Sequence, residues 1–180
     1  GKALPVAIRE YLLQAAVRAP SGDNCQPWRL AARGSKIRLR LDPTADDSFF
    51  NVAQTASWIS CGAATENLVL AAGRFGLAAR VDLRAVPQGA IDIVLADGGA
   101  GEDPLQRFVW ERHTNRTLYD ATPLDALERR RIEAAAKAEG AELLLLTDPK
   151  QIREAARLVY KTDLIRSGHR GLHEHLMRMI

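Results

Sequence analysis

The sequence predicts one α+β domain, with helices flanking a mixed or antiparallel sheet around a long buried central helix. Three observations support this. Segments with helical spacing alternate with short strand-like runs, residues 37–41 alternate strictly between apolar and charged, and residues 51–75 are apolar almost all round. The chain has 180 residues, 47% of them hydrophobic, which suffices for one substantial core. We therefore treat residues 1–180 as a single domain.

The first third of the chain predicts a helix followed by a hairpin. Apolar residues recur at helical spacing over residues 6–18, and Pro20 falls where that helix should end. Residues 28–32 and 37–41 form two strand-like runs on either side of Gly34. The second run places isoleucine and leucine against lysine and arginine, which indicates one buried and one solvent-facing side.

The remaining elements follow in order along the chain. A central helix is predicted over residues 51–75, and its run of small residues at 60–64 would let another backbone pack closely. Two further strands are then expected at residues 79–86 and 91–96, followed by a short helix at 104–111 and a longer helix at 124–139. A strand at 142–146 and a last helix from residue 149 onward complete the prediction. Gly140 ends the longer helix, Asp148 and Pro149 open the last one, and Gly168 or Gly171 interrupts it.

Composition excludes several classes of protein. The net charge of +3 and the pI near 9.1 are only mildly basic, and the arginines are scattered along the sequence, so we expect no nucleic-acid partner. No apolar run reaches the ~20 residues of a membrane span, so we expect no membrane partner. Two cysteines, Cys25 and Cys61, form no disulfide framework, which favours a cytoplasmic location.

Residues 19–28, Ala-Pro-Ser-Gly-Asp-Asn-Cys-Gln-Pro-Trp, are the most informative segment. A helix ends there in a polar turn beside a tryptophan, which suits the edge of a flat polar ligand. Ser21 and Asn24 offer hydrogen-bonding groups, and Gly22 lets the backbone approach a ligand closely. Gln26 either contacts the ligand or only braces the turn. The turn residues alone are equally consistent with a helix-terminating turn that binds nothing.

A second polar segment, Arg112-His113-Thr114-Asn115-Arg116, carries two arginines four residues apart with a hydroxyl between them. Guanidinium groups form bidentate, charge-assisted bonds with phosphate, so Arg112, Thr114 and Arg116 are candidates for a phosphate site. Taken alone, the segment is more often an exposed basic turn with Thr114 as a helix cap.

The Pro-Ser-Gly-Asp-Asn-Cys-Gln-Pro-Trp stretch resembles the Pro-Ser-x-x-Asn-x-Gln-Pro-Trp motif of the nitroreductase-like flavin enzymes. The resemblance spans roughly residues 6–170 and implies a nitroreductase-like fold that binds FMN. Arg112, Thr114 and Arg116 occupy the places of the family's Arg-x-Ser-x-Arg phosphate element, with threonine for serine. The implied cofactor-binding residues are Pro20, Ser21, Gly22, Asn24, Gln26, Arg112, Thr114 and Arg116.

The order of these motifs resembles the Acg-type branch, in which two incomplete nitroreductase-like halves are fused. In ordinary nitroreductases the phosphate element precedes the first helix, whereas here it follows about ninety residues after the turn. No Gly-x-Gly-Ser-like loop follows the central helix, and the sequence stops at Ile180 in what reads as mid-helix. We therefore expect a fragment of a longer protein, completed by a homodimer partner or a fused second half.

The resemblance implies an oxidoreductase that transfers electrons from NAD(P)H through FMN to an electron-poor acceptor such as a nitroaromatic or a quinone. Two alternatives remain: a flavin-binding or storage module without turnover, and a degenerate domain that only dimerises. No catalytic side chain is assigned. For His169, His173 and His175 we favour a solvated helix face over a zinc site, and we expect Cys25 and Cys61 to be packing residues.

Overall fold

The computed structural model describes residues 3–120 and 122–179. The chain divides into two compact units, the first reaching to His113 and the second comprising Thr114–Arg178. The first unit contains the sheet. The second is helical.

The first unit holds three α-helices and four strands in the described residues. Its helices are α1 (Val6–Val17), α2 (Thr55–Gly73) and the short α3 (Phe108–Glu111). Its strands are β1 (Trp28–Arg33), β2 (Lys36–Leu41), β3 (Leu77–Asp82) and β4 (Ala90–Asp97). The α+β architecture predicted from the sequence is confirmed.

The four strands form one sheet in the order β1-β2-β4-β3, and every pairing is antiparallel. Leu30 lies opposite Leu39, and Leu39 lies opposite Ile91, so the apolar positions of neighbouring strands fall on the same face. Gly34, with a φ of 62°, turns the chain between β1 and β2. That register gives the sheet one apolar face and one charged face.

Helices α1 and α2 cover the apolar face. Leu12, Ile37, Leu39, Leu68 and Ile93 are fully buried between the helices and the sheet. Eight residues of α2 are buried, which agrees with the prediction of a long buried central helix. The Asn67 amide donates to the carbonyl of Ala15 at 3.0 Å and links α2 to α1, as expected for a polar side chain at a helix contact.

A glycine-rich connection after β4 packs closely against α2 and β3. A Cβ built on Gly73 would lie 2.5 Å from the carbonyl oxygen of Gly101, and one on Gly99 would lie 2.5 Å from the backbone of Leu77. Both glycines are therefore required by the close approach of backbone to backbone.

The second unit contains α4 (Ala126–Ala138), α5 (Pro149–Gly168) and α6 (Arg170–Met179). Asp125 and Glu128 form a capping box at the start of α4, and Asp148 accepts from the Lys150 amide at the start of α5. No described residue of α4 or α5 is buried, although α5 is apolar on several sides.

Several predicted boundaries were wrong. Residues 142–146 form no strand, since no other strand lies beside them in the described chain, and a strand needs a hydrogen-bonded neighbour. The central helix begins at Thr55 rather than residue 51, and the helix predicted at 104–111 is reduced to α3. Strand β3 ends at Asp82 rather than residue 86. No described helix is long and apolar enough to cross a membrane.

Candidate functional site

The polar turn after α1 is a single 3₁₀ turn over Gly22–Asn24. The amide of Asn24 donates to the carbonyl of Ser21 at 3.1 Å, and the amide of Cys25 donates to that of Gly22 at 2.9 Å. The Ser21 hydroxyl accepts from the backbone amide of Gln26 at 3.0 Å. Ser21 therefore stabilises the turn through its side chain.

Three residues of the turn have left-handed backbone conformations that L-residues rarely adopt. The φ angles of Asp23, Asn24 and Gln26 are 46°, 56° and 48°. Each such residue costs roughly 1–2 kcal/mol, somewhat less for asparagine and aspartate. Backbone strain of this kind concentrates at ligand sites, where it fixes the direction of side chains. The side-chain amides of Asn24 and Gln26 form no hydrogen bond within the described part of the chain.

The segment before α2 shows the same strain. Ala53 and Gln54 have φ angles of 51° and 60°, and with the three turn residues they make up all the non-glycine residues of positive φ in the described chain. The turn after α1 also contacts α2. Strained backbone is thus concentrated in two segments, one within the turn and the other leading into the helix that the turn contacts.

Asn51 holds the strained segment in place, and sequence reasoning missed it. Its side chain is 5% exposed, and its Oδ1 accepts from the amides of Ala56 and Ser57 at 3.0 and 3.3 Å. Its Nδ2 donates to the carbonyl of Asp46 at 2.9 Å and to the Ser57 hydroxyl at 2.8 Å. Asn51 thereby caps α2 from outside the helix. The available signal was an asparagine close before a helical run.

An open cleft of about 280 Å³ lies between the turn and α2. It is lined by Pro20, Ser21, Gly22, Ala56, Ile59, Ser60 and Ala63. The Ser60 hydroxyl donates to the carbonyl of Ala56, and the Ser21 hydroxyl accepts from the amide of Gln26. The cleft therefore has an apolar wall, contributed mostly by α2, and a polar edge contributed by the turn.

The surrounding protein atoms leave room for a side chain at Gly22. A Cβ on Gly22 would meet only the Asp46 Oδ2, at 3.9 Å, which is an ordinary contact. Its φ is also not positive. The fold does not require glycine here, so a requirement for glycine at this position would come from a ligand in the cleft.

Neither cysteine is suited to nucleophilic chemistry. Burial, followed by the negative charge of Asp46, raises the pKa of Cys25. Burial raises the pKa of Cys61 to about 11, and its thiol contacts the carbonyl oxygen of Pro27 at 3.6 Å. Because the thiolate is the reactive form, a raised pKa disfavours nucleophilic reactivity at both residues. The expected packing role of Cys61 agrees with its complete burial.

Arg112 lies close to the turn in the first unit. Its Nη2 donates to the carbonyl of Arg18, the residue that ends α1, at 3.0 Å. Helix α3 is held against α1 by Tyr11, whose hydroxyl accepts from Gln106 at 2.5 Å and from Trp110 at 2.9 Å. Arg112 follows α3 directly, so these contacts fix its backbone beside the end of α1.

Thr114 and Arg116 belong to the second unit, and both are exposed. Asn115 shapes their segment, because its Oδ1 accepts from the amide and the hydroxyl of Thr117 at 3.0 and 2.7 Å. The structure therefore places Arg112 with Pro20, Ser21, Gly22, Asn24 and Gln26 in one unit, and Thr114 and Arg116 in the other.

The structure describes the histidine cluster only in part. No group of three histidine, cysteine, aspartate or glutamate residues that could hold a metal ion exists in the described chain. His169 and His173 lie at the start of α6, where the His173 amide donates to the His169 carbonyl. The side chain of His175 lies outside the described residues.

Comparison with known proteins gives one relative in sequence and several in structure. No protein-family model matches the chain. The chain is 32% identical over 178 residues to the uncharacterized protein MT1398 of Mycobacterium tuberculosis (strain CDC 1551 / Oshkosh). The match covers 96% of this chain but 25% of that protein, so the chain spans about a quarter of the length of this curated relative.

Three solved structures illustrate the structural matches. A nitroreductase with bound FMN from Desulfitobacterium hafniense DCB-2 has a TM-score of 0.40 and 17% identity, covering 67% of this chain and 90% of its own. A nitroreductase family protein from Clostridium difficile 630 has a TM-score of 0.42 and 17% identity, covering 68% and 90%. One from Streptococcus pneumoniae TIGR4 has a TM-score of 0.43 and 16% identity, covering 57% and 85%. Over part of its length, this chain is similar to solved proteins of the nitroreductase family.

Proposed function

We propose that this chain contributes to an FMN-dependent oxidoreductase of the nitroreductase type, which passes electrons from NAD(P)H to an electron-poor acceptor such as a nitroaromatic or a quinone. The observation that carries the proposal is the strained turn at residues 22–26. It holds the two unbonded side-chain amides of Asn24 and Gln26, and Ser21 and Gly22 line an apolar cleft. The motif resemblance of the same residues supports this reading.

The residues of the cleft fit a planar ligand with one polar edge. Ile59 is 70% exposed and, with Ala56 and Ala63, offers an apolar surface against which a ring can pack. Ser21 offers a hydroxyl to the polar edge, and Asn24 and Gln26 of the same turn carry donors and acceptors close by in the sequence. When bound, FMN supplies reversible two-electron chemistry, and the protein tunes it through the hydrogen bonds it offers to the ring. Because Gly22 has no side chain, a ligand in the cleft can approach its backbone closely.

We assign the phosphate to Arg112, with Thr114 and Arg116 as its further partners. One Arg112 nitrogen is engaged by the Arg18 carbonyl, and the remaining guanidinium donors are available to an anion. That bond also restricts the side chain, which lowers the entropy lost on binding. A second copy of the chain or a fused second half completes the site in this proposal.

Exposed apolar residues support a second copy of the chain, or a fused second half, as that partner. Phe49, Val52 and Ile59 are 75%, 71% and 70% exposed in the first unit. Ile59 lines the cleft, and large exposed apolar side chains of this kind are typical of an interaction surface. In the second unit, Leu158 and Ile165 of α5 are exposed, which is typical of a helix that packs against another molecule.

The visible absorption spectrum of the purified full-length protein tests the cofactor assignment. We expect flavin bands after incubation with FMN and gel filtration, and bleaching of those bands when NADPH or NADH is added without oxygen. A yellow protein that stays oxidised with both nucleotides would indicate the storage module. A colourless protein that takes up no FMN would overturn the proposal. The remaining alternative would then be a degenerate domain that only dimerises.

A further inference from the structure

The outer face of the sheet gathers cations that are scattered in the sequence. Because side chains alternate along a strand, Trp28 and Leu30 face the core while their neighbours point outward. Seven cationic side chains lie on or against the outward side, which we call the basic sheet face: Arg29, Arg33, Lys36, Arg38, Arg40, Arg80 and Arg84. The sequence analysis missed this cluster because its members come from three different strands and the turn after one of them.

Charge is segregated between this face and the rest of the first unit. Of the thirteen lysines and arginines that precede Thr114, seven lie on the basic sheet face, whereas only three of the twelve aspartates and glutamates do. Those three are Asp42, Asp82 and Asp92. The face is therefore net positive and the remainder of the unit is net negative, a separation that the overall charge of +3 conceals.

The acidic residues of the face are sheltered and their cationic partners are exposed. The Asp92 side chain is 10% exposed, whereas those of Lys36 and Arg38 are 43% and 40% exposed. Arg38 donates to both Asp92 oxygens, at 2.6 and 2.7 Å, and Lys36 lies 2.5 Å from the same carboxylate. Asp92 thus orients two cations while the outward surface stays positive.

Like charges are paired directly across the β1–β2 ladder. Arg29 lies opposite Arg40, and Arg33 lies opposite Lys36. Such cross-strand pairs destabilise a sheet. Arg33 and Arg40 are exposed and have no carboxylate partner within the described residues. Arg29 and Lys36 each have a carboxylate partner, Asp42 and Asp92 respectively, so the unbalanced charge of the two pairs falls on Arg40 and Arg33. Unbalanced cations of this kind favour a surface that binds an anion.

The other side chains of the face limit the kind of anion. Apart from the three aspartates, the strand positions between the cations carry small apolar residues, Ala31, Ala78, Val94 and Ala96. Protein interfaces are centred on aromatic and large apolar anchors, membrane association needs apolar side chains to insert, and single-stranded nucleic acids stack on aromatic rings. None of these groups is present on the described face. Guanidinium-rich surfaces suit phosphate, which they bind with two parallel hydrogen bonds.

We propose that the basic sheet face binds the phosphate backbone of a double-stranded nucleic acid without reading its sequence. This role goes beyond the flavin chemistry proposed above and uses none of its residues. The binding is electrostatic, so it weakens steeply with salt.

Fluorescence anisotropy of the full chain with a labelled random-sequence duplex tests the proposal. With four to five phosphate contacts, log K should fall against log salt with a slope of about −4. Arg33→Glu with Arg40→Glu should weaken binding at least about tenfold, because each charge reversal both removes a cation and adds a repelled anion. The matched control is Arg9→Glu with Arg107→Glu, which changes the net charge equally off the face and should cost less than about threefold.

Thermal melts of each variant check that the fold is retained, and Arg33→Ala with Arg40→Ala replaces the glutamate pair if that pair unfolds. Equal weakening by the face variant and the control would overturn the proposal, since binding would then follow net charge alone. Absence of duplex binding at low salt would also overturn it. So would binding to phosphatidylserine vesicles in place of the duplex, which would assign the face to a lipid surface.

Discussion

The guanidinium of Arg112 donates to the backbone carbonyl of Arg18 at 3.0 Å, joining residues 94 positions apart in the sequence. Arg18 ends α1, and Pro20 opens the polar turn two residues later. The bond therefore anchors one member of the proposed phosphate element next to the proposed flavin-binding turn. Of the second motif, Arg112 belongs to the first unit and lies beside the end of α1, although the sequence separates it widely from the turn.

Replacing both arginines of the phosphate element should abolish retention of FMN. We expect Arg112→Ala with Arg116→Ala to raise the FMN dissociation constant at least about tenfold, because each charge-assisted bond to phosphate contributes strongly. Fluorescence titration of FMN measures this. Arg107→Ala, which changes an exposed arginine stacked on Phe108, is the control. Unchanged FMN affinity in the double variant would remove the phosphate role.

Substitution of Gly22 separates the requirements of the ligand from those of the fold. Because a Cβ at Gly22 has space, Gly22→Ala should change the free energy of unfolding by less than about 0.5 kcal/mol. FMN affinity should nevertheless fall at least about tenfold, since the methyl group projects where the backbone must approach the ring. Denaturant melts and FMN titration of the same preparation provide both readings. A variant that binds FMN normally would show that the cleft is not the flavin site.

Gly73→Ala should have the opposite profile. Its Cβ would lie 2.5 Å from the carbonyl oxygen of Gly101, and backbone cannot move aside as a flexible side chain can. We expect a loss of stability of about 1–3 kcal/mol, as in other overpacked sites. FMN affinity of the folded protein should not change. A stability equal to that of the parent would mean that the 97–103 connection repacks freely.

Asn51→Ala should destabilise α2 and the cleft together. It removes the acceptor for two helix amides and leaves the Ser57 hydroxyl and the Asp46 carbonyl without their buried partner. The expected cost is about 2–3 kcal/mol from the lost cap and the unpaired groups. Asn51→Asp keeps the acceptor for the helix amides, so its free energy of unfolding should fall by less. Urea melts rank the three proteins, and equal stability of both variants would contradict the capping role.

The sequence predicted those elements of the first unit in which the pattern of apolar and charged residues reflects which side chains are buried. The alternation of Ile37 and Leu39 with charged residues located β2, and the uninterrupted apolar run located α2. The start of α2 was misplaced because the positive φ angles of Ala53 and Gln54 break the helix, and neither residue is a glycine that would signal this. Residues 142–146 have strand-like composition but no partner strand, which no local window detects.

The candidate site was predictable only in part. The Ser21–Gln26 turn was located by its residue types, but the contact of Arg112 with Arg18 and the capping by Asn51 depend on chain segments brought together by folding. The basic sheet face illustrates the same limit, because Arg38 and Asp92 are 54 positions apart and meet only through the β2–β4 register. Sequence spacing cannot report such pairings.

The Asp92 ion pairs should make stability fall in acid. Hydrogen bonds from Arg38, then from Lys36, lower the pKa of Asp92 from 3.8 to about 2 against an opposing effect of burial. A carboxyl whose pKa is depressed by folding stabilises the protein above its unfolded pKa, and that contribution is lost as the pH falls through about 4 to 2. Asp92→Asn should cost about 1 kcal/mol at neutral pH and flatten this acid limb. Urea melts at several pH values measure it, and an unchanged acid limb would contradict the assignment to Asp92.

Gly62 tests whether the exposed side of α2 is covered by a partner. Gly62 is exposed within α2, and a Cβ there would meet nothing within 4 Å. In an isolated chain, Gly62→Ala should therefore stabilise the helix by about 0.5–1 kcal/mol, since alanine loses less backbone entropy on folding. If a second copy packs its backbone against the small residues 60–64, the added methyl should instead weaken association by about tenfold or more, since it overfills a close contact. Analytical ultracentrifugation across protein concentrations distinguishes the two. A variant that is more stable and assembles like the parent would place the partner on another surface of the chain.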